Sequence, residues 1–188
     1  NPLEMEGTYP LPEAQIDRFF FKVLISQPSE SELETIIERT VGVNEPEVGV
    51  ILEASKLKTM QLAVREVVVP PHVTNYAARL IMATQPEREG ALPRIKQFVK
   101  YGAGPRGAQS LILAAKARAL MGGRFNVSLE DLKKLAQPSL RHRMALNFDG
   151  YSEGIKIDEL LNEIITGLPT DKTRPEEIEV THGSAIAR

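Results

Sequence analysis

The stretch from Tyr101 to Gly123, Tyr-Gly-Ala-Gly-Pro-Arg-Gly-Ala-Gln-Ser-Leu-Ile-Leu-Ala-Ala-Lys-Ala-Arg-Ala-Leu-Met-Gly-Gly, sets one arginine, Arg106, directly after a glycine-rich turn and a proline. Pro105 suits the first position of a helix, where its missing N–H costs nothing, and Gly122 with Gly123 supplies the stop. The residues between read as a helix rich in alanine and leucine. A guanidinium at that N-terminus joins free backbone N–H donors and the positive end of the helix dipole, which suits it to meet an anion. The alternative for Arg106 is a solvated surface arginine beside a helix start.

The same turn, Gly102-Ala-Gly104-Pro-Arg-Gly107, matches G-x-G-x-x-G letter by letter, with Glu130 and Asp131 near the offset at which a dinucleotide site carries its acidic residue. That reading fails on its surroundings. A buried apolar strand must precede the fingerprint, whereas Lys96-Gln-Phe-Val-Lys-Tyr101 is half polar. Ser128-Leu-Glu-Asp131 is better explained as a helix N-cap followed by an acidic first turn. Saturable NAD binding is therefore not expected.

The elements that must position Arg106 are mostly helices. Residues 1–15 are loop-like, with three prolines and a glycine, and Phe19-Phe-Phe-Lys-Val-Leu-Ile25 reads as a strand, short and rich in aromatic and β-branched residues. It is the one convincing strand of the chain, an orphan whose sheet is expected to belong to sequence upstream of Asn1, all the more because the chain does not begin at methionine. Helices follow. Ser29 with Glu32 forms a capping box ahead of the stripe Leu33, Ile36, Ile37 and Val41. Ser55 is read as the cap of a second helix with Leu57, Met60 and Val64 inward. Pro70-Pro71 starts a third, striped by Val73, Ala77, Leu80, Ile81 and Thr84. Residues 85–97 read as a polar, mobile loop. The Arg106 helix buries Ile112, Ala115 and Ala119, and Ser128 caps the next, with Leu132 and Leu135. Residues 139–146 continue or restart it beyond Pro138, and Ile157, Leu160, Leu161, Ile164 and Ile165 make the last stripe. The apolar content then collapses, so residues 167–188 read as a flexible tail.

Composition limits the partners. At 188 residues the chain is long enough to bury a core, and its 42% hydrophobic and 26% charged residues are ordinary for a globular protein. A formal net charge of -2 gives no reason to expect a nucleic-acid partner. There is no cysteine, hence no disulfide and no thiolate metal site, and His72, His142 and His182 lie far apart, so no metal site is expected. No apolar run approaches the roughly 20 residues of a membrane span. A cytoplasmic location is the expectation.

One strand followed by helices is a generic pattern, and the motifs narrow it. Asn1-Pro-Leu-Glu-Met-Glu-Gly-Thr-Tyr-Pro-Leu-Pro-Glu-Ala-Gln-Ile-Asp-Arg-Phe19 closely resembles the stretch after the fourth core strand of MoxR-type AAA+ ATPases. Tyr101-Gly-Ala-Gly-Pro-Arg106, Gly123-Arg-Phe-Asn-Val-Ser-Leu-Glu-Asp131 and Leu140-Arg-His-Arg143 resemble the lid domain of that family. The resemblance runs from about Asn1 to Leu161, with its motifs in the expected order.

The resemblance implies a mainly α fold: a helical lid bundle preceded by a loop and one orphan strand from the α/β ATPase core. It divides the chain into a core remnant (1–28), a lid (29–166) and a tail (167–188). It further implies that Asn1 is the sensor 1 residue orienting the attacking water, that Arg18 is an arginine finger reaching the neighbouring subunit's nucleotide, and that Arg106 is the sensor 2 arginine on the γ-phosphate of its own subunit. Independent chemistry agrees, since phosphoryl transfer develops negative charge on equatorial oxygens and a guanidinium stabilises it without a proton to lose. Without the resemblance, Arg18 reads as a surface charge and Asn1 as a frayed terminus. Arg141, His142 and Arg143 read as a solvated helix face. Gly107 stands where the family more usually has alanine, which should slightly loosen the first turn.

The parent protein is accordingly expected to bind ATP and Mg2+ and to assemble into a ring, a hexamer, that remodels or matures a client protein, often a metal- or cofactor-dependent complex. This chain contains no G-x-x-x-x-G-K followed by Ser or Thr, and Val48-Gly-Val-Ile-Leu-Glu53, which imitates a Walker B strand, has one carboxylate instead of two and lies after the sensor 1 position, so it reads as a helix or core segment. By itself the chain is expected neither to hydrolyse ATP nor to hold it tightly. The rival reading is a stand-alone, non-catalytic helical interaction module.

Overall fold

A computed structural model describes residues 11–42 and 48–170. Asn1 and the part of the expected tail beyond residue 170 lie outside the described residues. Among these the chain is mainly helical, in the order α1 (Glu13–Ile16), α2 (Glu30–Thr40), α3 (Ala54–Glu66), α4 (Pro71–Ala83), α5 (Pro93–Phe98), β1 (Val99–Tyr101), α6 (Pro105–Met121), α7 (Leu129–Leu140), β2 (Ala145–Leu146), α8 (Phe148–Ser152) and α9 (Ile157–Gly167). The strands β1 and β2 pair antiparallel, Val99 opposite Leu146 and Tyr101 opposite Ala145.

The core is where helical stripes meet. On α4 the buried residues Val73, Tyr76, Ala77, Leu80, Ile81 and the following Thr84 recur at the spacing of one helical face. They pack with Leu111, Ala115 and Ala119 of α6, Leu132, Ala136 and Leu140 of α7, and Leu160, Leu161 and Ile164 of α9. Alanines on α6 let its backbone approach its neighbours closely, and Ile112 is only partly buried there while Leu111 and Ala114 are inside. Helix α7 runs past Pro138 to Leu140. The proline sits near the end, so only the last turns have to accommodate its missing N–H.

Several local signals appear as the sequence predicts. Ser29 and Glu32 form the capping box of α2, and Pro71 opens α4. Ser128 caps α7 in a box closed by Asp131, whose carboxylate takes both Arg124 Nη1 and Nη2 at 2.7 Å. Arg124, followed by the Ser128 backbone, holds that carboxyl well below the usual carboxylate range against the opposing effect of burial. A carboxylate engaged this fully in a cap has no ribose to meet, and β1 is short and antiparallel, so the glycine turn is not a dinucleotide fingerprint.

Other expectations are corrected. Residues 19–25 do not form a strand: they bend at Phe19 and Phe20 and pair with no ladder among the described residues. Residues 85–97 are not all loop, since Pro93 starts α5 and Ile95 and Phe98, three apart, are buried while Arg94, Lys96 and Gln97 are not. The cap of α3 is Glu53 rather than Ser55, and its Leu57 and Met60 are exposed rather than inward, like Leu33, Ile36 and Ile37 of α2. Amphipathicity marks a face that some surface must cover without saying which element covers it.

The turn ahead of α6 is tied to the end of α4. Ala103 N donates to Thr84 Oγ1 at 2.9 Å, Thr84 Oγ1 donates to Ile81 O at 2.6 Å, and Gln85 Nε2 donates to Ala103 O at 2.8 Å. Gly102 lies so close to this knot that a Cβ there would sit 2.4 Å from the Thr84 carbonyl oxygen, a backbone atom that cannot swing aside. Gly102→Ala should therefore cost about 2 kcal/mol, read as a lowered urea midpoint with unchanged slope; an unchanged midpoint would show that the turn is not clamped.

Candidate functional site

Arg106 stands in the first turn of α6, after Gly104 as N-cap and Pro105 at the first helical position. Its side chain is 55% exposed, and Nη1 donates to Asp17 Oδ2 at 2.9 Å. The helix N-terminus and the guanidinium thus present positive charge together at the surface, held by one partly exposed carboxylate.

Asp17 belongs to the turn that follows α1, and most side-chain contacts to that turn come from one residue. Arg143 is 5% exposed and grips the segment from below. Its Nε donates to Asp17 Oδ1 at 3.2 Å; Nη2 donates to Asp17 O at 3.0 Å, to Phe19 O at 2.7 Å and to Ser110 Oγ at 2.9 Å; Nη1 donates to Phe20 O at 3.3 Å and to the Ser139 carbonyl. A planar guanidinium with five N–H donors is the side chain able to satisfy so many acceptors at once. Burial lowers its pKa first, and the Asp17 carboxylate opposes this.

The segment is fastened further along. Lys22 N donates to Pro138 O at 2.9 Å, Arg141 Nη1 donates to Lys22 O at 3.2 Å, and Arg141 Nε holds Asp158 Oδ1 at 3.0 Å. Within residues 19–25 these bonds take up the carbonyls of Phe19 and Phe20 and both backbone groups of Lys22, and no strand among the described residues lies alongside to pair with the rest. Phe20 and Phe21 stack edge to face, centroids 4.8 Å apart, over a groove of about 480 Å³ beside Ala114, Ala117 and Met121 of α6.

His142 donates from Nε2 to Phe19 O at 2.9 Å, which leaves Nδ1 as an acceptor, buried and without a partner among the described residues. Burial lowers its pKa from 6.5, the Phe19 carbonyl and Asp17 oppose this, and Arg143 and Lys22 add to it. A histidine depressed in the folded state supports the fold when neutral. That support is present above 6.5, its unfolded value, and is lost as pH falls through the lower folded value. Amide exchange at Lys22, corrected for the intrinsic pH effect, should thus accelerate on acidification below 6.5, and His142→Gln should abolish that dependence.

A second cavity of about 480 Å³ opens beside this cluster, between Glu13, Asp17, Tyr101, Gly104, Arg143 and Tyr151. Burial, then the Glu13 carboxylate, pushes the Tyr101 phenol up to about 12, so it remains a neutral donor.

Of the predicted site residues, Arg106 is bonded to Asp17, the residue before Arg18 in the chain. Arg18 is exposed and has no side-chain partner among the described residues; it is the neighbour of the carboxylate that holds Arg106. Arg141, His142 and Arg143 are not a solvated face. The helical spacing from Ala136 and Leu140 carries the buried stripe on to 143, a signal legible in the sequence. Gly107 has a role beyond loosening the helix: a Cβ there would come 3.0 Å from Leu140 Cδ2 and 3.4 Å from Arg143 Cδ, so the glycine makes room for the arginine stem.

Comparison with known proteins agrees with this geometry. Residues 92–164 match the AAA lid domain family. Chaperone MoxR1 of Mycobacterium tuberculosis is 34% identical over 179 residues, covering 94% of this chain and 47% of that protein. Protein MoxR of Methylorubrum extorquens is 27% identical, covering 78% of this chain and 46% of its own length. A crystal structure from Cytophaga hutchinsonii, described there as that of a candidate ATPase, superposes with a TM-score of 0.84 at 31% identity, covering 92% of this chain and 52% of that one. The chain spans about half the length of these relatives. With residues 92–164 matched as the lid domain and the relatives similar across nearly the whole chain, the protein belongs to the MoxR-type AAA+ ATPase family, of which it represents the end of the ATPase core and the helical lid.

Proposed function

We propose that this chain is the nucleotide-sensing part of an ATP-driven, chaperone-like machine that remodels or matures a partner protein in the cytoplasm. Arg106 contacts the γ-phosphate bound to its own subunit, Arg18 reaches the nucleotide of the next subunit in a ring, taken as a hexamer, and Asn1 orients the attacking water. The domains divide at residues 28 and 166. The supporting observation is that Arg106 is half exposed at a helix N-terminus, with Asp17 as its one counter-ion among the described residues. A phosphate offers that guanidinium more charge and a better fork than one carboxylate does.

The residues present fit the γ-phosphate end of ATP and no more of it. Arginine and helix N-terminus suit a phosphoryl oxygen, whereas the phosphate cradle and the magnesium carboxylates are not among the residues of this sequence. When bound, ATP supplies the phosphoryl group whose transfer drives the machine. What this chain contributes is fixed positive charge, worth most where water is excluded. Alone it neither hydrolyses ATP nor binds it tightly.

In the complete protein, Arg106→Ala should weaken binding of a fluorescent non-hydrolysable ATP analogue by about tenfold or more, the scale of one charge-assisted contact. Unchanged affinity would refute the assignment. The stand-alone module is disfavoured by the exposed apolar residues of α2 and α3 and by Phe19, 56% exposed, since a self-sufficient domain would cover them.

A further inference from the structure

Two arginines of opposite situation share one carboxylate. Asp17 Oδ2 holds the exposed Arg106 at 2.9 Å and Asp17 Oδ1 holds the buried Arg143 at 3.2 Å. The next residue along the chain is Arg18, and the residue after it, Phe19, gives its carbonyl to both Arg143 and His142. Arg18 is therefore mounted on a short loop whose two flanks are pinned to the lid, while its own side chain is left exposed.

We propose that Asp17 is a positioning residue that links the two arginines: it competes with nucleotide for Arg106 and sets the placement of Arg18. This inference rests on the proposed roles of Arg106 and Arg18. The physical basis is that one carboxylate offers two oxygens to two guanidinium groups, so a phosphate taken up by Arg106 withdraws one of its two charge partners. Asp17 then answers to Arg143 alone, and the loop carrying Arg18 is re-aimed about that buried anchor. A displacement of the order of 1 Å at such a group changes rates by about a hundredfold. The coupling thus needs no large motion, and it makes occupancy of one subunit's site felt at the finger presented to its neighbour. Arg143 itself does not exchange partners, since it is buried and its other acceptors are backbone carbonyls and Ser110.

The test is Asp17→Asn in the complete ATPase, with turnover and equilibrium affinity for a fluorescent non-hydrolysable ATP analogue measured separately. The expected result is a split of opposite signs. Affinity tightens severalfold because Arg106 loses its competitor, and kcat falls about tenfold to a hundredfold because the Arg18 loop loses its charged tether. A role in mere folding would weaken both or neither. In an Arg18→Ala background the same substitution should leave kcat unchanged while still tightening affinity. Unaltered affinity together with unaltered kcat in Asp17→Asn overturns the proposal, as does weakened affinity in a folded variant. Arg106→Ala and Arg18→Ala alone serve as controls: if they change neither binding nor turnover, the underlying assignment has failed, whereas if they act as expected and Asp17→Asn does not, only the linkage has failed. Should Asp17→Asn melt too low to assay, Asp17→Glu carries the test. It keeps the charge beside Arg143 and shifts the loop, so kcat must fall at least fivefold at native melting temperature, and a kcat within twofold of the unsubstituted enzyme overturns the proposal.

Discussion

Arg143→Ala is expected to lower stability by about 2–3 kcal/mol and to free the segment 17–22 from the lid. The guanidinium satisfies the carbonyls of Asp17, Phe19 and Phe20 and the Asp17 carboxylate from a buried position. Its removal leaves those acceptors facing an apolar void. The segment is itself largely exposed, so it can lift away and rehydrate, which caps the loss below the full cost of an uncompensated buried charge. Denaturant unfolding measures the first effect. Amide exchange at Lys22, whose N–H is bonded to Pro138 O at 2.9 Å, measures the second and should speed up by more than tenfold. Arg143→Lys should recover less than half of the loss, because an ammonium is a point charge and cannot reach carbonyls on both sides of a fork. If Lys22 exchange is unchanged in Arg143→Ala, the arginine is not the anchor of the segment.

Arg18→Ala in the complete ATPase is expected to reduce turnover by about a thousandfold, the lower end of what an arginine finger contributes to phosphoryl transfer. Nucleotide affinity should change little, because on this reading the finger serves the neighbouring subunit and acts on charge that develops in the transition state. Mixed rings give the sharper measurement. Subunits lacking Arg18 but able to bind nucleotide, combined with subunits that keep Arg18 but cannot hydrolyse, should regain part of the activity absent from either alone. No recovery on mixing would mean that Arg18 does not act across an interface. Stability should hardly move, since the side chain is exposed and has no partner among the described residues.

Arg106 and Arg143 divide what near neighbours in the sequence settle from what distant ones settle. Arg106 was legible because its position is set by near neighbours: a glycine turn, a proline that accepts the first helical position, and a helix that must begin there. The capping boxes of α2 and α7 were legible for the same reason, each being a contact between residues three apart. The stripes of α4 and α9 follow from helical spacing alone, and the structure buries them. The role of Arg143 is hidden in the sequence because its charge argues for the surface while its register argues for the core. Position 143 continues the buried stripe of α7, and a buried arginine is tolerated only when enough acceptors converge on it. Those acceptors come from residues more than a hundred positions away along the chain.

The segment at 19–25 is not a strand on similar grounds. Its composition favours a pleated, half-buried surface, yet β propensity describes a surface that fits a sheet and supplies no partner. Here the partners on offer are a guanidinium, an imidazole and the end of a helix. The reverse holds in α5, where a mostly polar stretch hides two apolar residues at helical spacing.

The sequence by itself determined the family, the helical class of the fold and the helix-start placement of Arg106, because each rests on motifs or on contacts within a few residues. Only the tertiary structure decided that Arg106 and Arg143 share Asp17, that the Arg18 loop is fastened to the lid and that the faces of α2 and α3 stay uncovered. Each of these depends on which distant groups meet, and a hydrogen bond or ion pair exists only once the packing of α6 and α7 has brought its two ends within reach.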